Sequence, residues 1–328
     1  MKAIVVEEFG PVGTAPCREV STPQPGPGEV QVRIAAVAAN FVDTLVMTGA
    51  YQFLPDRPFI PGKLPVGEVS AVGSGVSSFG VGDRVLTTAE QGGYAEYVCV
   101  PEAACTRLPD GLGFDDAASM ALAYDTAWVS LVERGRLAPD DTVLVLGATG
   151  AVGLAAIQLA KARGARVLAG VSSPAKAPLV RDAGADAIID LSVADLRDSL
   201  REQVRAETGG QGADVVIDPL GGDFFDAALR ATAWRGRVVV VGFAAGRIPE
   251  VKVNYLLLKN IEVSGIQVSD YRKRMPELMR DCFSEIFTLF AEGKLKASPP
   301  TVFALEDYAT AFQEIEARRL VGRAVLRP

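Results

Sequence analysis

The sequence predicts an α/β protein in which a β-barrel-like unit precedes a doubly wound parallel sheet. In residues 1–110, short runs rich in β-branched side chains are separated by turn motifs. Between residues 142 and 241, buried-type strands alternate with helices of about ten to fifteen residues, the pattern of βαβ units. A chain of 328 residues is long enough for two domains of roughly 150 residues each.

The β-rich part is predicted from five short runs, at residues 3–6, 30–36, 66–72, 84–88 and 94–100. The turn motifs PQPGPGE, IPGKLP, GSG, VGD and QGG separate them. Turns at this spacing are typical of a barrel.

The helical part begins at Phe114, where FDDAASMALAYDTAWVSLVERG has acids in its first turn and Gly135 at its end. The sheet follows as TVLVLG, AVGLAAIQLAKARG, ARVLAGV, PAKAPLVRDAG, DAIIDL, a charged helix over 194–208, DVVIDPLGG, DFFDAALRATA and RVVVVGF. A helix over 275–293, a strand over 301–305, a helix from Glu306 and a strand GRAVLRP complete the chain. We expect a first domain of residues 1–120, completed by 266–328, and a second of 121–265.

Composition excludes several classes of function. The chain has no histidine, so a Ser-His-Asp triad, an imidazole base and a histidine-ligated zinc site are impossible. A net charge of −7 disfavours nucleic acid and anionic membranes as partners. The four cysteines are widely spaced, and Glu7 and Glu8 interrupt any secretory signal, so we expect a cytoplasmic protein without a metal site.

The uncharged stretch 142–160 is long enough to raise the question of a membrane span. It contains three glycines together with Thr149 and Gln158, and it divides into a strand, a turn and a helix. We therefore predict no membrane segment.

A glycine-rich turn predicts a dinucleotide site. Gly147, Gly150 and Gly153 lie between an apolar strand and a helix with an apolar face. Such glycines allow a tight turn, the approach of backbone N–H groups to a pyrophosphate, and close packing of helix on strand. The N–H donors of this turn come from the run Thr149, Gly150, Ala151, Val152 and Gly153. The alternative is a βα turn in a protein that binds another ligand.

The end of the next strand predicts the coenzyme. A site that prefers NADH usually has an acid there for the ribose 2′-hydroxyl, but residues 172–176 contain none. Ser172 and Ser173 can donate hydrogen bonds, and Lys176 can supply positive charge to a 2′-phosphate. We therefore predict NADPH, the alternative being that Lys176 is simply a solvated lysine.

Many segments together resemble one family: PGPGEV, NFVDTLVMTGAY, PFIPG, VGDRV, GGYAEYVCVP, LPDGLGFDDAA, DTAW, GATGAVGLAAIQLAK, DPLGG, GRVVVVGFAAG, LLLKN and GRAVL. They resemble the zinc-independent medium-chain dehydrogenase/reductases, in particular the zeta-crystallin-like NADPH:quinone oxidoreductases. The resemblance implies a GroES-like β-barrel domain built from both chain ends, a Rossmann domain between them, a substrate cleft and a homodimer.

The resemblance also implies roles for individual residues. Asn40, Tyr51 and Thr126 match positions near the nicotinamide and substrate. The positions that meet the coenzyme are matched by Gly150 to Gly153, Ser172, Lys176, Gly242, Phe243 and Arg318. The chain departs from many relatives at Leu45 and Leu191, where they have tyrosine, and at Leu64, where they have glutamate.

The expected reaction is hydride transfer to a quinone or to the activated C=C bond of an α,β-unsaturated carbonyl. Charge then builds on the acceptor oxygen, so Asn40 or Tyr51 is expected to donate a hydrogen bond there, and Tyr51 or solvent to supply a proton. The alternatives are a turn cap for Asn40, a packing aromatic for Tyr51 and a plain helix residue for Thr126. Asp43 is interpreted as orienting its neighbours.

Two other functions remain open. The segment GAYQFLP resembles the one that carries the proton-donating tyrosine of 2-enoyl thioester reductases. An NADPH-binding protein with a structural or RNA-associated role, as among crystallin relatives, is the alternative of another class.

Overall fold

The computed structural model describes residues 1–317, 319–320 and 322–328. The strands are β1 (Lys2–Ile4), β2 (Cys17–Glu19), β3 (Glu29–Ala38), β4 (Val66–Val72), β5 (Arg84–Thr87), β6 (Tyr97–Pro101), β7 (Cys105–Arg107), β8 (Thr142–Val145), β9 (Arg166–Val171), β10 (Ala187–Asp190), β11 (Ala213–Asp218), β12 (Thr232–Val240), β13 (Glu262–Gly265), β14 (Pro300–Ala304) and β15 (Arg323–Arg327).

The α-helices are α1 (Phe41–Thr48), α2 (Phe114–Trp128), α3 (Ala151–Ala162), α4 (Ala177–Asp182), α5 (Leu196–Glu207), α6 (Gly222–Ala231), α7 (Asn254–Lys259), α8 (Val268–Arg274), α9 (Pro276–Ala291) and α10 (Tyr308–Glu316). In the described part of the chain, none of them is both long enough and apolar enough to cross a membrane.

The chain divides into two compact units. The first consists of Met1–Leu122, Arg272–Phe287 and Ala297–Pro328, and the second of Ala123–Tyr271 and Thr288–Lys296. The domain prediction differs from this division at residues 121–122, which it gave to the second domain, and at residues 266–271 and 288–296, which it gave to the first. The difference at 288–296 is the longest. Hydrogen bonds explain the difference, because the Lys296 carbonyl accepts from Tyr124 Oη at 2.8 Å and from Gln158 Nε2 at 3.2 Å, within the second unit.

The first unit is an antiparallel β structure with one parallel pair. Among the described residues its larger sheet runs β14-β15-β3-β4-β5-β7, with β6 also paired to β3. The chain's last strand, β15, joins β3 through Val325 opposite Ala38, so both chain ends build this unit. The predicted GroES-like barrel is confirmed.

The second unit is the predicted Rossmann-type sheet. In the described residues its strands are all parallel, in the order β10-β9-β8-β11-β12-β13. Strand β8 is buried from Val143 to Val145, which matches its uninterrupted apolar sequence. Strands β9 and β10 lie on one side of β8 in the sheet, and β11, β12 and β13 lie on its other side.

Helix α1 was not predicted. Its segment, NFVDTLVMTGAY, was interpreted as a family motif, and its eight helical residues show too little hydrophobic periodicity to indicate a helix. Asn40 precedes the helix in extended conformation, and Asp43 accepts the Asn40 backbone N–H at 2.9 Å. Gly49 ends the helix in left-handed conformation. The helix thus places Asn40 at its start and leads the chain to Tyr51 just beyond its end.

Candidate active site

Two positions of the turn after β8 require glycine, one because of its backbone conformation and one because of the space available. Gly147 has φ +57°, a backbone conformation that side chains other than glycine rarely adopt. A Cβ on Gly153 would lie 2.5 Å from the Gly147 carbonyl oxygen and 2.7 Å from Ala148 Cα. Both contacts are with backbone, so helix α3 packs directly against the turn only because residue 153 is glycine.

The first turn of α3 presents backbone N–H groups. Gly150 is its N-cap, with φ −79° and ψ 169°, and the helix begins at Ala151. The first N–H groups of a helix, here those of Ala151 and Val152, have no acceptor inside it and lie at the positive end of its dipole. Thr149, partly exposed, belongs to the same turn. This cradle suits a diphosphate.

The turn also lies where a nucleotide is expected in such a sheet. Strand β8 lies between β9 and β11. The strands after β8 are added first on one side of it and then, from β11, on the other, so the strand order reverses between β8 and β11. In open α/β sheets, ligands bind outside the carboxyl ends of the strands at this switch point.

The end of β9 carries the predicted ribose-side residues. Ser172 and Lys176 are exposed, and Ser173 precedes a short 3₁₀ turn, Pro174–Lys176, whose last N–H donates to the Ser173 carbonyl at 3.0 Å. Leu191, in contrast, is a core residue: its N–H donates to the Val171 carbonyl at 2.8 Å and its side chain is buried.

The loop after β11 is shaped by a buried carboxylate that sequence reasoning did not single out. Asp218 Oδ1 accepts the N–H groups of Leu220 and Gly221, both at 2.9 Å. Burial raises the pKa of Asp218, and these hydrogen bonds oppose the rise. The Asp218 carbonyl also accepts from Gly242 at 3.4 Å, while Phe243 is exposed beside the same loop.

Thr126 lies in the last turn of α2, in the second unit, and is buried. Its Oγ1 is 3.3 Å from Asp125 Oδ1, and its carbonyl accepts from Ser130 Oγ at 2.7 Å. The helix continues as a π-helical segment, Val129–Arg134, a distortion that is frequent near functional sites. Arg318, predicted to meet the coenzyme, lies outside the described residues.

Asn40 is held in a fixed orientation in the first unit. Its Nδ2 donates to the Ala38 carbonyl at 2.9 Å, and its Oδ1 accepts from Arg323 Nη2. The Asp43 carboxylate also accepts a hydrogen bond from the Asn40 side chain, which lowers the pKa of Asp43 and fixes the amide further. Arg323, on β15, was not predicted to have a role.

Asp43 supports this arrangement rather than facing a ligand. Its Oδ2 accepts the Asn40 N–H at 2.9 Å and the Tyr94 hydroxyl at 2.8 Å. Burial raises the pKa of Asp43, and these hydrogen bonds act in the opposite direction. Burial and then the Asp43 charge raise the pKa of Tyr94. The Tyr94 hydroxyl therefore keeps its proton and donates a hydrogen bond to Asp43.

Tyr51, partly buried, lies beside a cluster of charges. The Lys63 ammonium is 5.7 Å from the centre of the Tyr51 ring and donates to Glu90 Oε2. Arg272 Nη1 donates to Glu90 Oε1 at 2.6 Å. Burial raises the pKa of Glu90, but the charges of Arg272 and Lys63 outweigh it and lower that pKa to about 2.

The predicted residues thus fall into two groups. The first unit contains Asn40 and Tyr51, and the second contains Thr126 and the described coenzyme residues. Sequence reasoning missed the charged side chains that surround Tyr51. The available signal was the departure from the family pattern at PGKLP, which placed a lysine at 63 and a leucine at 64.

Two family models match the chain. One, described as zinc-binding dehydrogenase, matches residues 151–285, and one described as alcohol dehydrogenase GroES-like domain matches residues 26–110. Within the described residues, no group of three or more histidine, cysteine, aspartate or glutamate side chains could hold a metal ion.

Known proteins are similar over nearly the whole chain. The quinone oxidoreductase-like protein 2 homolog of Nematostella vectensis is 38% identical over 309 residues, which cover 93% of this chain and 83% of that protein. The quinone oxidoreductase of Pseudomonas aeruginosa is 36% identical, covering 100% and 99%. The crystal structure of the Escherichia coli quinone oxidoreductase complexed with NADPH matches with a TM-score of 0.90 and 29% identity, covering all of both chains.

Proposed function

Because this chain belongs to the quinone oxidoreductase family of medium-chain dehydrogenases/reductases, we propose that it reduces a quinone, or the activated C=C bond of an α,β-unsaturated carbonyl, without zinc. It is an oxidoreductase, and NADPH is its coenzyme. The observation that carries the proposal is the glycine turn at residues 147–153, followed by the acid-free segment 172–176.

The coenzyme would be held by the second unit. Its diphosphate fits the N–H groups at 149–153, and its 2′-phosphate fits Ser172, Ser173 and Lys176. The remaining predicted contacts are with Gly147, Gly242, Phe243 and Arg318. NADPH, when bound, supplies the hydride.

The acceptor side of the reaction would use Asn40, Tyr51 and Thr126. The Asn40 amide and the Tyr51 hydroxyl are the proposed donors for an oxygen that gains negative charge, and a fixed donor lowers the barrier without having to reorient. Arg323 donates to Asn40 Oδ1 and so fixes which side of the amide presents its N–H groups. Tyr51 can also supply the proton.

An acceptor screen tests the proposal. Purified protein is assayed with NADPH and NADH against quinones, small enones and crotonyl-CoA, before and after dialysis against a zinc chelator. We expect turnover with NADPH and quinones or enones that survives chelation. A different result would assign a 2-enoyl thioester reductase instead. In that case crotonyl-CoA is turned over faster than quinones, and Tyr51→Phe lowers its turnover more than it lowers quinone turnover. Tight NADPH binding without oxidation by any acceptor would favour the non-enzymatic alternative.

A homodimer is part of the same proposal. Four apolar side chains of the second unit are exposed along residues 248–258: Ile248, Val253, Leu257 and Leu258. Among the described residues, β13 pairs with β12 alone and leaves an open sheet edge nearby in the chain. Light scattering is expected to give twice the chain mass, and Leu257→Glu to shift it toward the monomer.

A further inference from the structure

Lys63 and Arg272 bring two buried positive charges to the same carboxylate, Glu90. Their side chains are 7% and 2% exposed, and both donate to Glu90. An ion pair on the surface of the same unit, Lys2 with Glu306, has 53% and 45% exposed side chains. The two buried cations therefore share Glu90, and the Lys63 charge also acts on the buried carboxylate of Asp43.

Stability alone is a poor reason for this arrangement. Removing a charge from water costs several kcal/mol, and replacing a buried ion pair by apolar residues is often neutral or stabilising. Glu90 needs one cation to be neutralised, and Arg272 already provides it at 2.6 Å. Glu90 does not by itself account for the second cation, Lys63, which requires another explanation.

That explanation is the neighbouring aromatic ring. The Lys63 ammonium lies 5.7 Å from the Tyr51 ring centre, within the range of a cation–π contact. The Phe53 ring meets Tyr51 edge-on, with ring centres 6.5 Å apart. Because residues 51–58 form no helix or long strand, contacts of this kind determine where the Tyr51 ring points.

We propose that Lys63 is the positioning residue for Tyr51: Glu90 holds the Lys63 ammonium against the ring, and Arg272 holds Glu90 from its other oxygen. The consequence is a fixed direction for the Tyr51 hydroxyl. This inference rests on the proposed function, in which that hydroxyl donates to the acceptor oxygen.

The first test is a double-mutant cycle. Lys63→Met keeps Glu90 paired with Arg272, and Lys2→Met is the matched control at the surface ion pair. We expect Lys63→Met to lower kcat for the acceptor by about 10-fold to 100-fold, since small misplacements of a reacting group cost that much. The Kd for NADPH should stay within two-fold of wild type, and Lys63→Arg should restore most of kcat.

The cycle separates positioning from an independent role. In a Tyr51→Phe background, Lys63→Met should have almost no further effect on kcat, because there is no hydroxyl left to position. If the two reductions in kcat multiply, the proposal is overturned.

The second test does not depend on activity. The seven tyrosines are labelled with ¹³C in the ring, and the Tyr51 signal is identified as the one that Tyr51→Phe removes. Lys63→Met should move and broaden this signal, while Lys2→Met leaves it in place. An unchanged Tyr51 signal in Lys63→Met overturns the positioning role. A wild-type protein that reduces no acceptor overturns the proposed function instead, and the spectrum still decides the role of Lys63.

Discussion

Gly150→Val separates binding of the coenzyme from stability of the fold. Gly150 has an extended backbone that valine also adopts, and the atom closest to a new Cβ is the Gly147 carbonyl oxygen at 3.3 Å. A slight shift of the turn accommodates the side chain. Valine is a poorer N-cap than glycine, so we expect the free energy of unfolding to fall by about 1 kcal/mol.

The effect on binding should be much larger. A valine at 150 covers the N–H groups at the start of α3, and a hydrogen bond to a charged group contributes about 1.5–3 kcal/mol. Losing one or two such bonds raises the Kd for NADPH by about 10-fold to 10,000-fold. Calorimetric titration measures the Kd, and thermal unfolding without coenzyme measures stability.

The matched control is Gly80→Val, because the position is exposed, its φ is not left-handed and no atom lies within 4 Å of a built Cβ. It should leave the Kd unchanged. If Gly150→Val binds NADPH within three-fold of wild type, the diphosphate does not lie at this turn, and the reasoning about the coenzyme site is wrong.

Three further predictions concern single side chains. Lys176→Ala should raise the KM for NADPH at least five-fold, about 1 kcal/mol, and leave the KM for NADH unchanged, because only NADPH has a 2′-phosphate; equal changes would refute its role. The pKa of Glu90 is lowered to about 2 from 4.5, so its stabilising effect is complete above pH 4.5 and is lost as the pH falls toward 2. Between pH 5 and pH 2, denaturant unfolding should show a loss of stability that is larger in wild type than in Glu90→Gln by up to about 3 kcal/mol, since other carboxylates with lowered pKa contribute equally to both. Arg323→Met should lower kcat by about ten-fold, or about 1.4 kcal/mol, by releasing the Asn40 amide, with little change in the Kd for NADPH; an unchanged kcat would show that Asn40 needs no such support.

The sequence predicts the second unit well, because its signals are local. An apolar strand, three glycines and a helix follow one another within residues 142–162, and Gly153 is required by backbone contacts inside that segment. The absence of acid in 172–176 is also a local property. Helix α1 shows where local signals fail, because a helix of eight residues has too few turns for its hydrophobic periodicity to be recognised.

The charged cluster around Tyr51 could not be predicted in the same way. Lys63, Glu90 and Arg272 are separated by 27 and 182 residues, and single-sequence patterns do not pair charges over such distances. Each of them, taken alone, suggests a solvated surface residue. Only the packing of the first unit buries them together, and burial turns ordinary charges into ones that act strongly on their neighbours.

The same packing places positive side chains near the two proposed donors. The Lys63 ammonium lies 5.7 Å from the Tyr51 ring centre, and Arg323 donates to Asn40 Oδ1. Their neighbours include the carboxylates of Glu90 and Asp43, and Leu64, which follows Lys63, is fully buried and uncharged. A quinone or enone oxygen gains negative charge as hydride arrives, and a nearby positive charge stabilises it more in a buried site than in water. We therefore expect Lys63→Met to reduce kcat/KM most for acceptors whose product oxygen is anionic at the assay pH.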